Sequence, residues 1–165
     1  MGRNDSGQLG LNDRDERSDP TILLGIKGKS VVCGFYHTII IDMDNNIWGM
    51  GNNEDGQIGK GGFLEMYKYV PTILPNTKGK FVACGSYHTM IIDMESNIWV
   101  MGNNEYGQLG LGDNDIRKTP TKIPNIKGNF ISCGNNHTAI IDLDNNIWHK
   151  TLFNLGLWVI MNMDN

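Results

Sequence analysis

"KFVACGSYHTMIIDMESNIWVMGNNEYGQLG", residues 80–110, decides how this chain folds. Residues 81–84 are a short apolar run ended by Gly85. Residues 88–93 are a second run, rich in β-formers, and residues 98–101 are a third, ended by Gly102. A fourth, 119–123, carries Pro120, which suits a sheet edge because proline has no N–H to donate to a neighbouring strand. Gly, Asn, Asp and Pro bound every run, and none has the 3.6-residue period of a helix. Each reads as a short β-strand.

The stretch recurs. Cys33, Cys84 and Cys133 stand 51 and 49 residues apart. His37, His88 and His137 keep the same two spacings, as do Pro20, Pro71 and Pro120, and Trp48, Trp99 and Trp148. Gly-Gln pairs begin at 7, 56 and 107. A unit of four short strands repeated at this period describes the blade of a β-propeller. Between the second and third strands stand Asp42-Met43-Asp44-Asn45-Asn46, Asp93-Met94-Glu95-Ser96-Asn97 and Asp142-Leu143-Asp144-Asn145-Asn146. Tight hairpins need a residue with positive φ, which Asn tolerates well. Ser96 is a poorer choice, so the middle hairpin is expected to be the least well formed.

Bulk properties narrow the function. The chain has 165 residues, enough for one domain with a real core, and a net charge of −4. That mild acidity gives no electrostatic case for nucleic acid. No apolar run approaches the roughly 20 residues of a membrane helix, and the polar N-terminus is no signal peptide. Three cysteines, an odd number, read as reduced thiols of an intracellular protein. Gly2 and Ser6 fit a myristoylation spacing, but both belong to a copy of the repeat.

The repeats resemble the regulator-of-chromosome-condensation family, whose hallmark is Cys/Ala-Gly-x-x-His-Thr/Ser, a hairpin, and then Gly-x-Asn-x-x-Gly-Gln-Leu-Gly. Here that appears as "CGFYHT" with "GNNEDGQIG", "CGSYHT" with "GNNEYGQLG", and "CGNNHT". The resemblance covers residues 1 to about 148 and implies a β-propeller, normally of seven blades. It also implies a structural role for Cys33, Gly34, His37, Cys84, Gly85, His88, Cys133, Gly134, His137, Gly56, Gln57, Gly107 and Gln108. The Cys is a small buried apolar residue and the His bonds neighbouring loops. The chain departs by holding Asn45, Ser96 and Asn145 where the family usually has Gly. It also has Met50 and Met101 where Trp is usual.

Seven blades need about 350 residues and four about 200. The expected fold is therefore all-β: an incomplete propeller, an arc of about three four-stranded antiparallel blades, with the ring not closed. Repeats are expected over 1–148, with breaks near 20–30, 70–80 and 120–129. Residues 149–165 form an aberrant C-terminal tail. Met1–Gln8 aligns with residues 50–57, so the chain starts inside a repeat, and after Trp148 the pattern gives way to "HKTLFNLGLWVIMNMDN". Back-translated one frame over, the tail can spell the motif again. A truncated or frameshifted gene fragment is the reading this suggests.

No chemistry stands out. "GQIGKGG", residues 56–62, lacks the Gly-Lys-Ser/Thr of a phosphate loop, and Leu11 and Leu111 take the place of Lys60 in the other copies. It reads as a blade-to-blade connector. Zinc needs about four converging ligands, whereas each Cys-x3-His supplies two. The 42–53 stretch has Ile47 and Asn53 where a calcium loop needs Gly and Glu. No spacing-defined nucleophile set is present, so neither catalysis nor a cofactor is expected. The variable pairs Phe35-Tyr36, Ser86-Tyr87 and Asn135-Asn136 sit in a nearly constant frame. The family places them on one propeller face, and the aromatic ones suit a partner's anchor. They hold no Trp, so the photochemistry of light-sensing relatives is not implied.

The function expected is a noncatalytic scaffold for protein–protein interaction with an unknown protein partner. Self-association is expected through the exposed terminal blades, with no nucleic acid and no membrane. The alternative is guanine-nucleotide exchange on a small GTPase, as the family's founding member performs on Ran. That activity would need a full propeller face and an inserted β-wedge.

Overall fold

The computed structural model describes residues 1–61 and 66–149, and the backbone of 159–161. Among these, ten strands follow in chain order, each antiparallel to the next. They are β1 (Gly28–Cys33), β2 (His37–Asp42), β3 (Asn46–Asn52), β4 (Tyr67–Cys84), β5 (His88–Asp93), β6 (Asn97–Gly102), β7 (Arg117–Cys133), β8 (Thr138–Asp142), β9 (Ile147–His149) and β10 (Val159–Met161). The fold is all-β, and the ring is not closed within this chain.

Three blades emerge because two strands serve twice. The N-terminal part of β4 pairs with β3, with Trp48 opposite Ile73, and its C-terminal part pairs with β5, with Phe81 opposite Ile92. β7 does the same, setting Lys122 against Trp99 and Phe130 against Ile141. The sequence suggested a separate fourth strand and first strand of the next blade. They are instead one continuous strand of 18 residues in β4 and 17 in β7. Each turns at an Asn with positive φ, Asn76 at 59° and Asn125 at 61°. Asn tolerates this conformation and so bends the strand without ending it. In the outer part of β7, Pro120 lies on the rim of the second blade, where its missing N–H costs no ladder bond.

The apolar residues form two layers, one between each pair of blades. Ile39, Ile41 and Ile47 of the first blade meet Val82, Ile91 and Met101 of the second. Met90, Ile92 and Ile98 of the second meet Ile131 and Ile140 of the third. Alternation along each strand sends neighbouring side chains to opposite faces, so every blade can feed both layers.

The three hairpins are alike. Asn45, Ser96 and Asn145 have φ of 62°, 64° and 65°. The expectation of a weaker middle turn is corrected. Asp93 Oδ1 accepts the Glu95 and Asn97 N–H groups at 2.8 Å each, as Asp42 Oδ1 does those of Asp44 and Asn46 at 2.9 and 2.8 Å. The carboxylate, present in all three copies, holds the turn whatever occupies the positive-φ position. Of the tail, β10 pairs with β9. Residues 150–158 and 162–165, on which the frameshift reading rests, lie outside the described residues, as does Gly62 of "GQIGKGG".

Candidate functional site

The Cys-Gly-x-x-His-Thr elements lie where β1 turns into β2 and its counterparts do likewise, and they join blade to blade. Phe35 N–H donates to Ser86 O at 3.3 Å, and Ser86 N–H to Asn135 O at 3.0 Å. His37 Nε2 lies 2.9 Å from Thr89 Oγ1, and His88 Nε2 lies 3.0 Å from Thr138 Oγ1. The Thr89 hydroxyl donates to Gln57 O at 2.7 Å. Its oxygen must therefore accept, which puts the hydrogen of His37 on Nε2. The opposite nitrogens, His37 Nδ1 and His88 Nδ1, are buried without a partner. A Cβ on Gly34 or Gly85 would strike the imidazole of its own repeat and come within 2.7 Å of Gly85 O or Gly134 O. These glycines are required by close approach.

Burial keeps the two rings uncharged. It holds His37 down at about 3 and His88 at about 4, each helped by the next imidazole along the arc. Burial likewise pushes the Cys84 thiol up, and that of Cys133 up to about 12, so neither is a nucleophile at neutral pH. Cys33 departs from the buried reading: it is exposed, because no blade precedes it within the chain. Among the described residues, no three His, Cys, Asp or Glu groups lie together as a metal site. No helix there is long and apolar enough to cross a membrane.

The Gly-Asn-Asn-x-x-Gly-Gln segments build turns from their own side chains. Asn4, Asn53 and Asn104 accept the N–H of Leu9, Ile58 and Leu109 at 2.9, 3.0 and 3.0 Å. Gln8, Gln57 and Gln108 accept the N–H of Ser6, Asp55 and Tyr106 at 2.9, 3.1 and 3.0 Å. The first two turns then lie on the blade further along. Gly59, at φ 75°, leaves room for the Met101 side chain and for Pro120, as Gly10 does for Met50 and Pro71. A Cβ there would meet both strain and bulk. Met50 and Met101 are 2% and 0% exposed, so the methionines that replace the usual Trp fill this seat.

Two features escaped the sequence reading. Asp42, Asp93 and Asp142 each accept the indole N–H of the Trp six residues on, at 2.8, 2.8 and 2.6 Å. The threefold Asp-x5-Trp spacing across a hairpin was the signal. Burial works against the charge on Asp42, yet hydrogen bonds from Trp48, Asn46 and Asp44 hold it at about 2. The second feature is the partner of the motif histidine: the resemblance implies that the His bonds neighbouring loops, and the structure makes that partner the Thr of the same motif in the next copy.

The candidate partner residues gather beside this ladder. Phe35, Tyr36 and Tyr87 form one aromatic cluster, with ring centroids 4.6, 6.4 and 6.1 Å apart. Phe35 is 60% exposed, while Tyr36 and Tyr87 are half-buried. The Arg3 guanidinium lies over the Tyr36 ring at 5.1 Å. Ser86 is half-buried, and Asn135 and Asn136 are exposed at the far end. Acidic loops flank the cluster, because Asn52 N–H donates to Tyr36 O and Asn103 N–H to Tyr87 O, both at 2.8 Å. Glu54, Asp55 and Glu105 ride on those loops. Burial raises Asp55, and the charges of Glu54 and Glu105 add to that rise.

A run of antiparallel four-stranded blades, pinned along one face by a repeated His–Thr ladder, is a β-propeller arc. The regulator of chromosome condensation (RCC1) repeat matches residues 1–41, 44–92 and 95–141, and the chain belongs to that family. It is 37% identical over 116 residues to Protein RCC2 homolog of Xenopus laevis, covering 66% of this chain and 22% of that protein. It is 35% identical over 118 residues to the ultraviolet-B receptor UVR8 of Arabidopsis thaliana, covering 68% and 26%. The chain thus spans about a quarter or less of these relatives. Human WBSCR16 superposes with a TM-score of 0.83 at 22% identity, over 98% of this chain and 47% of that one. Yeast RCC1 (Prp20), solved bound to Kap60, gives 0.79 at 20%, over 90% and 38%. At these identities the likeness to solved structures shows the fold.

Proposed function

We propose that this chain is a noncatalytic scaffold that binds a protein partner on the face carrying Phe35, Tyr36, Ser86, Tyr87, Asn135 and Asn136. The observation that carries the reading is the aromatic trio. An exposed Phe beside two half-buried Tyr is the composition of an interface anchor, and the ladder beneath holds it rigid. Flanking carboxylates at Glu54, Asp55 and Glu105 favour a partner segment bearing Arg or Lys, whose cations also suit the faces of Tyr rings. Yeast RCC1 was solved with the protein Kap60, and another Prp20p structure is described with its binding to Gsp1p and histones. Those proteins support a binding role for the fold. We place the chain inside the cell, where its three free thiols stay reduced.

Photo-crosslinking tests this. A benzoylphenylalanine at position 35 is expected to give discrete protein adducts in a cell extract. The same probe in place of Met94, exposed on a hairpin, is expected to give none. Equal adducts from both positions would defeat the proposal. A second assay addresses exchange activity: clear acceleration of GDP release from Ran would replace the scaffold reading with a regulator of a GTPase.

A further inference from the structure

The first copy of the repeat completes a contact that the second copy leaves half made. In the first, Arg3 lies over the Tyr36 ring at 5.1 Å, and its Nε and Nη2 both rest on Asp5 Oδ2, at 2.7 and 2.5 Å. Ring, guanidinium and carboxylate form one unit. Arg3, Asp5 and Tyr36 correspond to Asn52, Glu54 and Tyr87 one copy later. The ring and the carboxylate are kept there, and the cation is not. Asn52 folds back into its own turn instead, its Oδ1 accepting the Glu54 N–H at 2.9 Å and the Gln57 Nε2–H at 2.6 Å. Among the described residues, no Arg or Lys lies over Tyr87.

The surroundings of Tyr87 carry excess negative charge. Asp55 Oδ2 accepts a hydrogen bond from Asn103 Nδ2–H at 3.4 Å, and Asn103 N–H donates to Tyr87 O at 2.8 Å, so this carboxylate stands beside the backbone that carries the ring. Asp55 feels the charges of Glu54 and Glu105, with that of Lys118 against them. Phe35, 60% exposed, lies 6.4 Å from the Tyr87 ring and gives the position a second aromatic wall. Tyr87 belongs to the middle blade, and the turns on either side of it, 51–57 and 102–108, are both in place. A further repeat would be added at the ends of the arc, beyond the first and third blades, and not over this ring.

Resting on the partner-binding reading of this face, we infer that the partner protein places an arginine on Tyr87, its guanidinium over the ring beside Phe35 and its N–H groups on the Glu54 carboxylate, with Asp55 adding charge. Arg3 specifies the residue. A guanidinium is flat, so it can lie on a ring and turn its fork toward a carboxylate at the same time. An ammonium is a compact, strongly hydrated point charge without that fork. The partner segment is therefore read for arginine, beyond its positive charge. Tyr36 is already covered, and the third copy has Asn136 in place of a ring, which makes Tyr87 the open seat among the three.

Titration of the isotopically labelled chain with capped Gly-Arg-Gly, followed by NMR, tests this, with Gly-Lys-Gly and Gly-citrulline-Gly as comparisons. The arginine peptide is expected to shift the Phe35, Glu54, Asp55 and Tyr87 resonances with a dissociation constant of about 5 mM. The lysine peptide is expected to bind about fivefold more weakly, and the citrulline peptide not at all. Glu54→Gln keeps an acceptor oxygen for Asn52 Nδ2–H, so thermal unfolding is expected to stay unchanged while the arginine peptide binds about fivefold more weakly. Arg3→Asn uncovers the first ring and is expected to add shifts at Tyr36. Equal binding of arginine and lysine, shifts centred elsewhere, or no saturable shift overturns the inference. Adducts at position 35 without arginine selectivity would leave the scaffold reading standing and defeat this inference alone. Arginine-selective shifts at Tyr87 without adducts would support the seat and count against the scaffold reading.

Discussion

The middle blade and the first blade carry almost the same residues and live in different surroundings. Val82 and Val31 hold the same position of the repeat, and each faces an Ile of the next strand in the same register, Ile91 and Ile40, yet one is 3% exposed and the other 62%. Ile58 and Leu109 are fully buried, while Leu9, their counterpart in the first turn, is half-exposed. Repeat stability has a part intrinsic to each unit and a part owed to its neighbours. Here the neighbour's part can be isolated by comparing one side chain in two blades.

The sharpest break of that comparison comes from Ile98 and Ile147. Ile98 is fully enclosed between blades, so Ile98→Ala removes packed methyl groups and leaves a cavity. The expected loss is about 4 kcal/mol by urea unfolding, against about 1 kcal/mol or less for Ile147→Ala, whose surroundings are already open. Equal losses at moderate protein concentration would mean that burial between blades is not what distinguishes them.

Acid sharpens it further. His37 and His88 sit under a neighbouring blade and are held neutral, at about 3 and about 4. The unfolded chain takes up protons on both near pH 6.5, while the folded chain does not. Stability is therefore fully present above about pH 6.5 and is lost as pH falls toward those depressed values. Each imidazole costs about 2 kcal/mol by pH 5. The raised pKa of Asp55 acts in the opposite sense and at lower pH. Unfolding measured from pH 7 to 5 should show a slope approaching two protons, and a flat profile would show that the rings take up protons without unfolding.

Thr89 and Thr38 separate the polar part of the interface. Thr89 bonds both Gln57 O and His37, so Thr89→Val strands a carbonyl and a buried imidazole N–H. About 2 to 3 kcal/mol is expected, compared with about 1 kcal/mol for Thr38→Val, where the Gln8 bond and a long contact to Cys33 Sγ are lost but no imidazole is stranded. If Thr38→Val matched Thr89→Val at low concentration, the imidazole would have no share in the ladder.

Much of the blade is readable from the chain because its signals are local. The runs at His88–Asp93 and 98–101 are bounded by residues that strands avoid, and β5 and β6 form there. Positive φ at Asn45 and Asn145 follows from the side chain beside its own backbone. What escaped is what depends on a neighbouring copy or on a turn inside a strand. The bend at Asn76 looks like a strand end until β4 is seen pairing on both sides of it. The His–Thr bond joins residues 52 and 50 apart, a distance that periodicity reveals only as repetition. The aromatic pair was legible as a variable position in a constant frame, but the half-burial of Tyr36 and Tyr87 comes from their packing on each other and on Phe35.

The smallest expected effect lies in the hairpins, where surroundings and local preference separate. Ser96 adopts φ 64° in the blade with neighbours on both sides, as Asn45 and Asn145 do in the blades at either end. Asn visits this region more readily than Ser, so Ser96→Asn relieves a local cost without adding a contact. A gain of about 0.5 kcal/mol is expected in urea unfolding. Asp93 governs whether that gain can appear, because its carboxylate accepts the Asn97 N–H and Trp99 Nε1–H, both at 2.8 Å, and already fixes the turn. In an Asp93→Ala background the clasp is absent and the positive-φ residue must hold the loop by itself. The benefit of Asn at position 96 should then grow. A gain unchanged by the loss of Asp93 would show that turn preference and clasp act independently, and that the carboxylate does not compensate for Ser96.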